Sequence, residues 1–121
     1  MKSLSSYREL VVWQKSMDLV VRIYEATGAF PREEQYGLIS QLRRAAVSIP
    51  SNIAEGSERD SKQDYIRFLR IAKGSAAELR TQCYIALKLE LLPKEHADGF
   101  VQETKEISAM LQGLIRSLSP N

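Results

Sequence analysis

Apolar residues recur at alternating intervals of three and four along almost the whole chain, and a spacing that only α-helices use leaves few folds open. In the first segment it sets Leu10, Trp13, Met17, Val20 and Tyr24 on one face. "SYRE" ahead of that segment offers Ser6 as N-cap with Glu9 as its capping-box partner, and Gly28 stops it. The second carries Gln35, Ile39, Leu42, Ala46, Ile49, Ile53 and Gly56 in one unbroken heptad phase. After "GSERDSKQD", with Asp60 or Ser61 as N-cap, the third sets Tyr65, Leu69, Ala72, Ala76, Leu79, Cys83 and Ala86 at the same spacing, widened by Phe68. "LLPKE" leads into the fourth, where Pro93 suits a helix start and Ala97, Phe100, Thr104, Ile107, Leu111, Leu114 and Leu118 keep the repeat.

The spacing predicts helices over residues 7–27, 32–57, 61–91 and 94–118 of a single domain, 1–121. Helices of this length joined by short loops pack as an all-α, antiparallel up-down-up-down four-helix bundle. A chain of 121 residues, 44% hydrophobic and 26% charged, buries an adequate core without disulfides or a metal. The single cysteine, Cys83, makes no internal bridge and occupies a core position. "MKSLSSYREL" has no apolar signal core, and no run approaches the roughly 18 apolar residues of a membrane span, so the chain reads as cytoplasmic.

Pro50 interrupts the second helix, removing a backbone donor and pressing its ring against the carbonyl of Ala46. Because Ile39, Leu42, Ala46, Ile49 and Ile53 keep phase across it, the expectation is a continuous helix kinked at Pro50, with Ser48, Ser51 and Asn52 serving the freed backbone groups. The face opposite the apolar stripe is short: Gly37, Ser40, Gln41, Arg44, Ser48, Ser51 and Glu55. Such a face suits close packing of another helix, from the same chain or a second subunit, and equally suits a weakly polar solvent face. "KGSAAE" repeats the theme in the third helix, where Gly74 costs about 1 kcal/mol relative to alanine and points to close packing. Ser48, Pro50, Ser51, Asn52, Glu55, Gly56 and Gly74 are therefore the candidate residues for helix or subunit packing.

Net charge is only +2, yet residues 59–88 hold seven Lys or Arg against three acids. Lys62, Arg70, Lys73, Arg80 and Lys88 fall within an arc of about 80° on the third helix, clear of its core stripe, with Ile66 and Tyr84 among them. A positive ridge with an aromatic in it suits a phosphate backbone and a stacked base; it equally suits a solvated helix face. The nucleic-acid candidates are Arg59, Lys62, Arg67, Arg70, Lys73 and Arg80, joined by Arg43 and Arg44. Catalysis finds little support: His96 has no metal-ligand partner at helical spacing, and no phosphate loop or nucleophile elbow is present. The reading is a non-enzymatic chain without cofactor or metal.

"YRELVVWQKSMDL", "FPREEQYGLISQLRRAAVSIPSNIAEGSER" and "RFLRIAKGSAAELRTQ" resemble the bacterial four-helix bundle proteins encoded in intervening sequences of large-subunit ribosomal RNA genes. The resemblance covers Tyr7 to about Leu92, and "LRRAAVSIPSNIAEG" carries it most specifically. It implies an antiparallel four-helix bundle assembled into a homopentamer, non-enzymatic and without a settled function. The accessory variability proteins of diversity-generating retroelements are similar in fold and ring assembly, and through them the resemblance implies RNA or DNA and a reverse transcriptase as partners. The expected function is an oligomeric bundle binding nucleic acid with weak sequence specificity; the alternative is a protein-interaction scaffold.

Overall fold

The computed structural model of the protein describes residues 6–120. A short 3-10 helix, Ser6–Glu9, leads into α1 (Val11–Thr27); a second 3-10 turn, Arg32–Glu34, precedes α2 (Leu38–Ser57); α3 (Lys62–Lys88) and α4 (Lys94–Leu118) complete the fold. Among the described residues α1 packs on α2 and α4, and α3 packs on α2 and α4, while neither diagonal pair meets. The four helices thus close a square around one core, as a four-helix bundle does.

Paired side chains give the directions. Ser48 bonds Ser75 while Gly56 packs on Phe68, so α3 runs back along α2. Lys73 reaches Gln112 and Arg80 reaches Thr104, so α4 runs back along α3. Lys15 pairs with Glu106 and Arg22 with Glu103, and α1 and α4 run oppositely too.

Several helix ends differ from the sequence expectation. Helix α1 starts at Val11 behind Leu10, which supplies no side-chain cap; the Ser6 and Glu9 capping box is replaced by the 3-10 helix that both residues belong to. Gly28 does close α1, donating its N–H back to Tyr24 and Ala26. Helix α2 begins six residues later than expected because Gly37, at φ −109° and ψ −112°, breaks the backbone ahead of Leu38. Helix α3 stops at Lys88 rather than 91, since Glu90 turns into the left-handed region at φ 61° and Leu91 and Leu92 both donate to the carbonyl of Ala86. Ser61 caps α3 as expected, accepting from the Asp64 N–H at 3.0 Å.

Helix α2 continues unbroken through Pro50. Asn52 reaches back with its Nδ2 to the carbonyl of Ser48 at 2.8 Å and its hydroxyl at 2.9 Å, and the Ser48 hydroxyl meets that of Ser75 at 2.8 Å. Those polar groups therefore satisfy one another at the α2–α3 seam. Gly56 permits the closest approach there: a Cβ on it would lie 2.7 Å from Cβ of Phe68. Gly74 does the opposite of what the sequence implied. It is exposed, and an added Cβ would meet nothing within 4 Å, so close packing is not its role.

The core stripes of α3 and α4 follow the expected phase, with Leu69, Ala72, Ala76, Leu79, Cys83, Ala86, Ile107 and Leu111 wholly buried. Helix α1 is rotated from the expectation. Its buried face is Val12, Ser16, Leu19, Ile23 and Thr27, while Met17 and Tyr24 are exposed and Trp13 and Val20 half-buried. Two polar residues conceal that face in the sequence. They are tolerated inside because Ser16 donates to the Trp13 carbonyl at 2.8 Å and Thr27 to that of Ile23 at 2.7 Å, leaving methyl and methylene groups for the core. The displaced apolar stripe of α1 lies instead along its groove with α2.

Candidate nucleic-acid interface

The expected basic row does not act as a unit. Arg59, in the turn after α2, is held by Glu55 at 3.1 Å and lies over the Phe68 ring at 4.7 Å. Arg67 pairs with Asp64 at 3.6 Å and covers the same ring at 4.6 Å. These two guanidinium groups flank one aromatic side chain, and each has an exposed carboxylate partner, unlike the cations further along α3.

Lys73 and Arg80 behave differently. The Lys73 ammonium donates to Oε1 of Gln112 at 2.6 Å, and Arg80 donates to the hydroxyl of Thr104 at 3.0 Å, its carbonyl at 3.4 Å and the Ser108 hydroxyl at 3.1 Å. Both cations are positioned across the α3–α4 junction by uncharged acceptors, which orient a charge without neutralising it. Lys62, Arg70 and Lys88 are exposed, and among the described residues none of these five cations has a carboxylate within ion-pair distance.

Helical spacing places Lys105 and Arg116 on the side of α4 that carries Ser108 and Gln112, so α4 adds two cations to the same face. The acids of α4 mostly point elsewhere. Glu103 and Glu106 face α1, where Arg22 grips Glu103 with two hydrogen bonds and Lys15 holds Glu106 at 3.0 Å. The Glu103 hydrogen bond raises the Arg22 pKa, and those from Lys15 and Gln102 lower that of Glu106. Asp98, near the start of α4, is matched by Lys94 at 2.7 Å, which raises the pKa of that lysine. The bundle consequently carries paired charges on its α1–α4 side and unpaired cations on its α3–α4 side. From Lys62 to Lys88 this face runs about 39 Å at the helical rise of ~1.5 Å per residue.

The structure separates Arg43 and Arg44 from that row. Arg43 closes the end of α1: its Nε donates to the Thr27 hydroxyl at 2.9 Å, its Nη2 to the Tyr24 carbonyl at 3.2 Å, and the group lies 4.4 Å over the Tyr24 ring. A cation on the last carbonyls of a helix complements its dipole. Arg44 is exposed and opens on a cleft of about 570 Å³ on the α1–α2 side. Of the packing candidates, Ser48, Asn52 and Gly56 lie at the α2–α3 seam and Pro50 is buried, while Ser51, Glu55 and Gly74 are exposed.

Cys83 is wholly buried, and that burial pushes its thiol up to about 12. His96 is exposed on a cavity of about 520 Å³ between the end of α1 and the start of α4, shared with Phe100, Glu95 and the Arg22–Glu103 pair. Among the described residues no group of three or more His, Cys, Asp or Glu side chains is placed to hold a metal ion, and no helix is long and apolar enough to cross a membrane.

Four helices around one core define an all-α four-helix bundle, with a row of unpaired cations along its α3–α4 face. The family model of the 23S rRNA-intervening sequence proteins matches residues 8–113, and the chain belongs to that family. Among solved structures it is similar to a protein of unknown function from the S23 ribosomal protein family of Bacteroides thetaiotaomicron. That likeness has a TM-score of 0.79 at 27% identity and covers 88% of this chain and 99% of the other. No curated protein matches significantly.

Proposed function

We propose that this bundle is a non-enzymatic nucleic-acid-binding protein that tracks a phosphate backbone along its α3–α4 face. The supporting observation is that Lys73 and Arg80 are fixed there by neutral partners, flanked by Lys62, Arg70, Lys88, Lys105 and Arg116, with no carboxylate pairing any of them among the described residues. Phosphate contacts of this type position a polymer without reading its sequence, and each one adds to the salt dependence of binding. Binding to single-stranded, duplex and structured RNA, measured at low and moderate salt, tests the reading. Arg70→Glu with Lys88→Glu lowers affinity and flattens the dependence of log K on log salt by nearly two contacts' worth, about 0.7–0.9 each. Wild-type protein that binds none of the three at low salt removes the proposal.

A second reading, a homo-oligomeric scaffold, draws on a different observation. Trp13, Met17 and Val20 of α1 and Val47 and Pro50 of α2 line a groove of about 320 Å³, and Val21 stands 56% exposed beside it. A second copy of this chain seated there buries apolar surface that the single chain leaves in water. Light scattering that returns a stable 13.7 kDa species excludes it.

A further inference from the structure

The face opposite the basic one carries the most exposed aromatic residue of the bundle. Tyr36, in the turn between the second 3-10 helix and α2, is 91% exposed. It borders the cleft of about 570 Å³ into which Arg44 opens, with Tyr24 and Arg43 on the α1 side and Ile39 and Val47 along the wall. That volume lies in the range of small-ligand sites.

The chemistry of the lining is specific. It contains two arginines and two tyrosines and no carboxylate. Of the acids around it, Glu34 spends its carboxylate on the Leu38 N–H at 3.3 Å and Glu25 lines the cavity on the other side of α1, while Glu78 of α3 borders the adjoining cleft on which Arg44 and Ser48 also open. Arg43 is immobilised by its bonds to Thr27 and Tyr24 and by the Tyr24 ring beneath it, so it offers a flat, pre-set cation. Arg44, one residue on, has no ion-pair partner among the described residues. A flat π-surface next to two unneutralised guanidinium groups fits a ligand that is planar at one end and anionic at the other. An unpaired nucleotide is such a ligand, since bases stack on tyrosine and on guanidinium planes while phosphate takes arginine.

We propose that this cleft is a subsite for one unpaired nucleotide, its base stacked on Tyr36 and its phosphate held by Arg44. The idea extends the nucleic-acid reading to a second face, and its test is separable from that of the basic row. Free nucleotide and an unpaired residue in RNA share the chemistry; adenosine monophosphate and a short single-stranded oligoadenylate distinguish them.

Both probes are titrated against wild type, Tyr36→Ala, Tyr36→Phe and Arg44→Gln, and against Arg70→Glu/Lys88→Glu, by calorimetry and by following the tyrosine ring resonances. Tyr36 is so exposed that its truncation leaves the fold intact, which thermal melting verifies. Expected is a loss of about fivefold or more for Tyr36→Ala with retention in Tyr36→Phe, because stacking and not the hydroxyl supplies the contact. Arg44→Gln weakens adenosine monophosphate by about fivefold or more, with Arg43 left in place. The double reversal on α3 leaves monophosphate binding unchanged while weakening the oligomer. Monophosphate binding with no added gain from the oligomer assigns the site to free nucleotide; Tyr36-dependent binding of the oligomer alone assigns it to RNA. If neither probe binds, or if Tyr36→Ala binds both as wild type does, the proposal fails even where the α3–α4 face still binds RNA. A Tyr36→Ala change that alters only self-association overturns it as well and makes the cleft a protein contact.

Discussion

Two glycines show how far residue type alone reaches. In the sequence Gly56 and Gly74 are equivalent, both inside helices and both among small residues. In the bundle they are opposites, because Gly56 faces Phe68 and Tyr65 across the α2–α3 seam while Gly74 faces open space. Gly56→Ala forces the Phe68 side chain and the α3 backbone apart and costs about 1–3 kcal/mol. Gly74→Ala removes backbone entropy from the unfolded chain without a clash and gains about 1 kcal/mol. Thermal melts of the two variants move in opposite directions; a shared direction contradicts the packing described here. Gln82 offers a similar check. It is buried with Oε1 unpaired among the described residues, and an orphaned acceptor of that kind costs about 1–3 kcal/mol. Gln82→Met keeps the volume and deletes the acceptor, so its urea midpoint equals or exceeds that of wild type.

At the scale of the helix, the periodicity of α3 and α4 was sufficient because their core positions are almost all apolar or small. The buried face of α1 lies one residue, about 100° and so slightly more than a quarter turn, from the stripe its apolar spacing predicts. Ser16 and Thr27 look like surface residues until the backbone carbonyls that satisfy them are seen, and Trp13, Met17 and Tyr24 make a second apolar stripe that the groove with α2 half covers. Legibility of the candidate site failed for a related reason. The spacing within α3 groups Lys73 with Arg80, but nothing local says which side of α4 lies against them, so the sequence alone neither brings Lys105 and Arg116 to that face nor sets Arg43 and Arg44 apart from it. The distinction between anchored and free cations yields its own prediction. Arg80→Ala strips three hydrogen bonds from the α3–α4 junction and lowers stability by about 1–2 kcal/mol, as well as weakening RNA. Lys88→Ala, exposed and unpaired, weakens RNA and leaves the urea midpoint where it was. Equal loss of stability in both would mean that the anchoring is not what distinguishes them.

The whole molecule can be interrogated through its one thiol. Cys83 sits at 0% exposure in the core of α3, packed inside a square of helices that has no second cysteine to confuse the signal. A reagent of the size of iodoacetamide reaches it only when that square opens, so at neutral pH the labelling rate reports the opening of the bundle as a unit. The free energy derived from labelling under native conditions therefore equals that from urea unfolding. Labelling much faster than global unfolding would mean that α3 detaches by itself, and would contradict its packing on both α2 and α4. The pH dependence follows from the same burial. The folded pKa of about 12 lies above an unfolded value of about 8.5, so the thiol's neutral form is favoured by the fold. Its contribution is complete below the unfolded value and is lost as pH rises through the window up to the folded one. Tyr65, whose pKa burial also raises, adds to the same alkaline limb in wild type and variant alike. The difference in stability between wild type and Cys83→Ala consequently stays constant from pH 6 to 8 and then shrinks by about 1.4 kcal/mol for each further pH unit above roughly 8.5. A difference that stayed flat to pH 11 would show that water and hydroxide reach the thiol in the folded bundle, and that the core between α2, α3 and α4 is not closed.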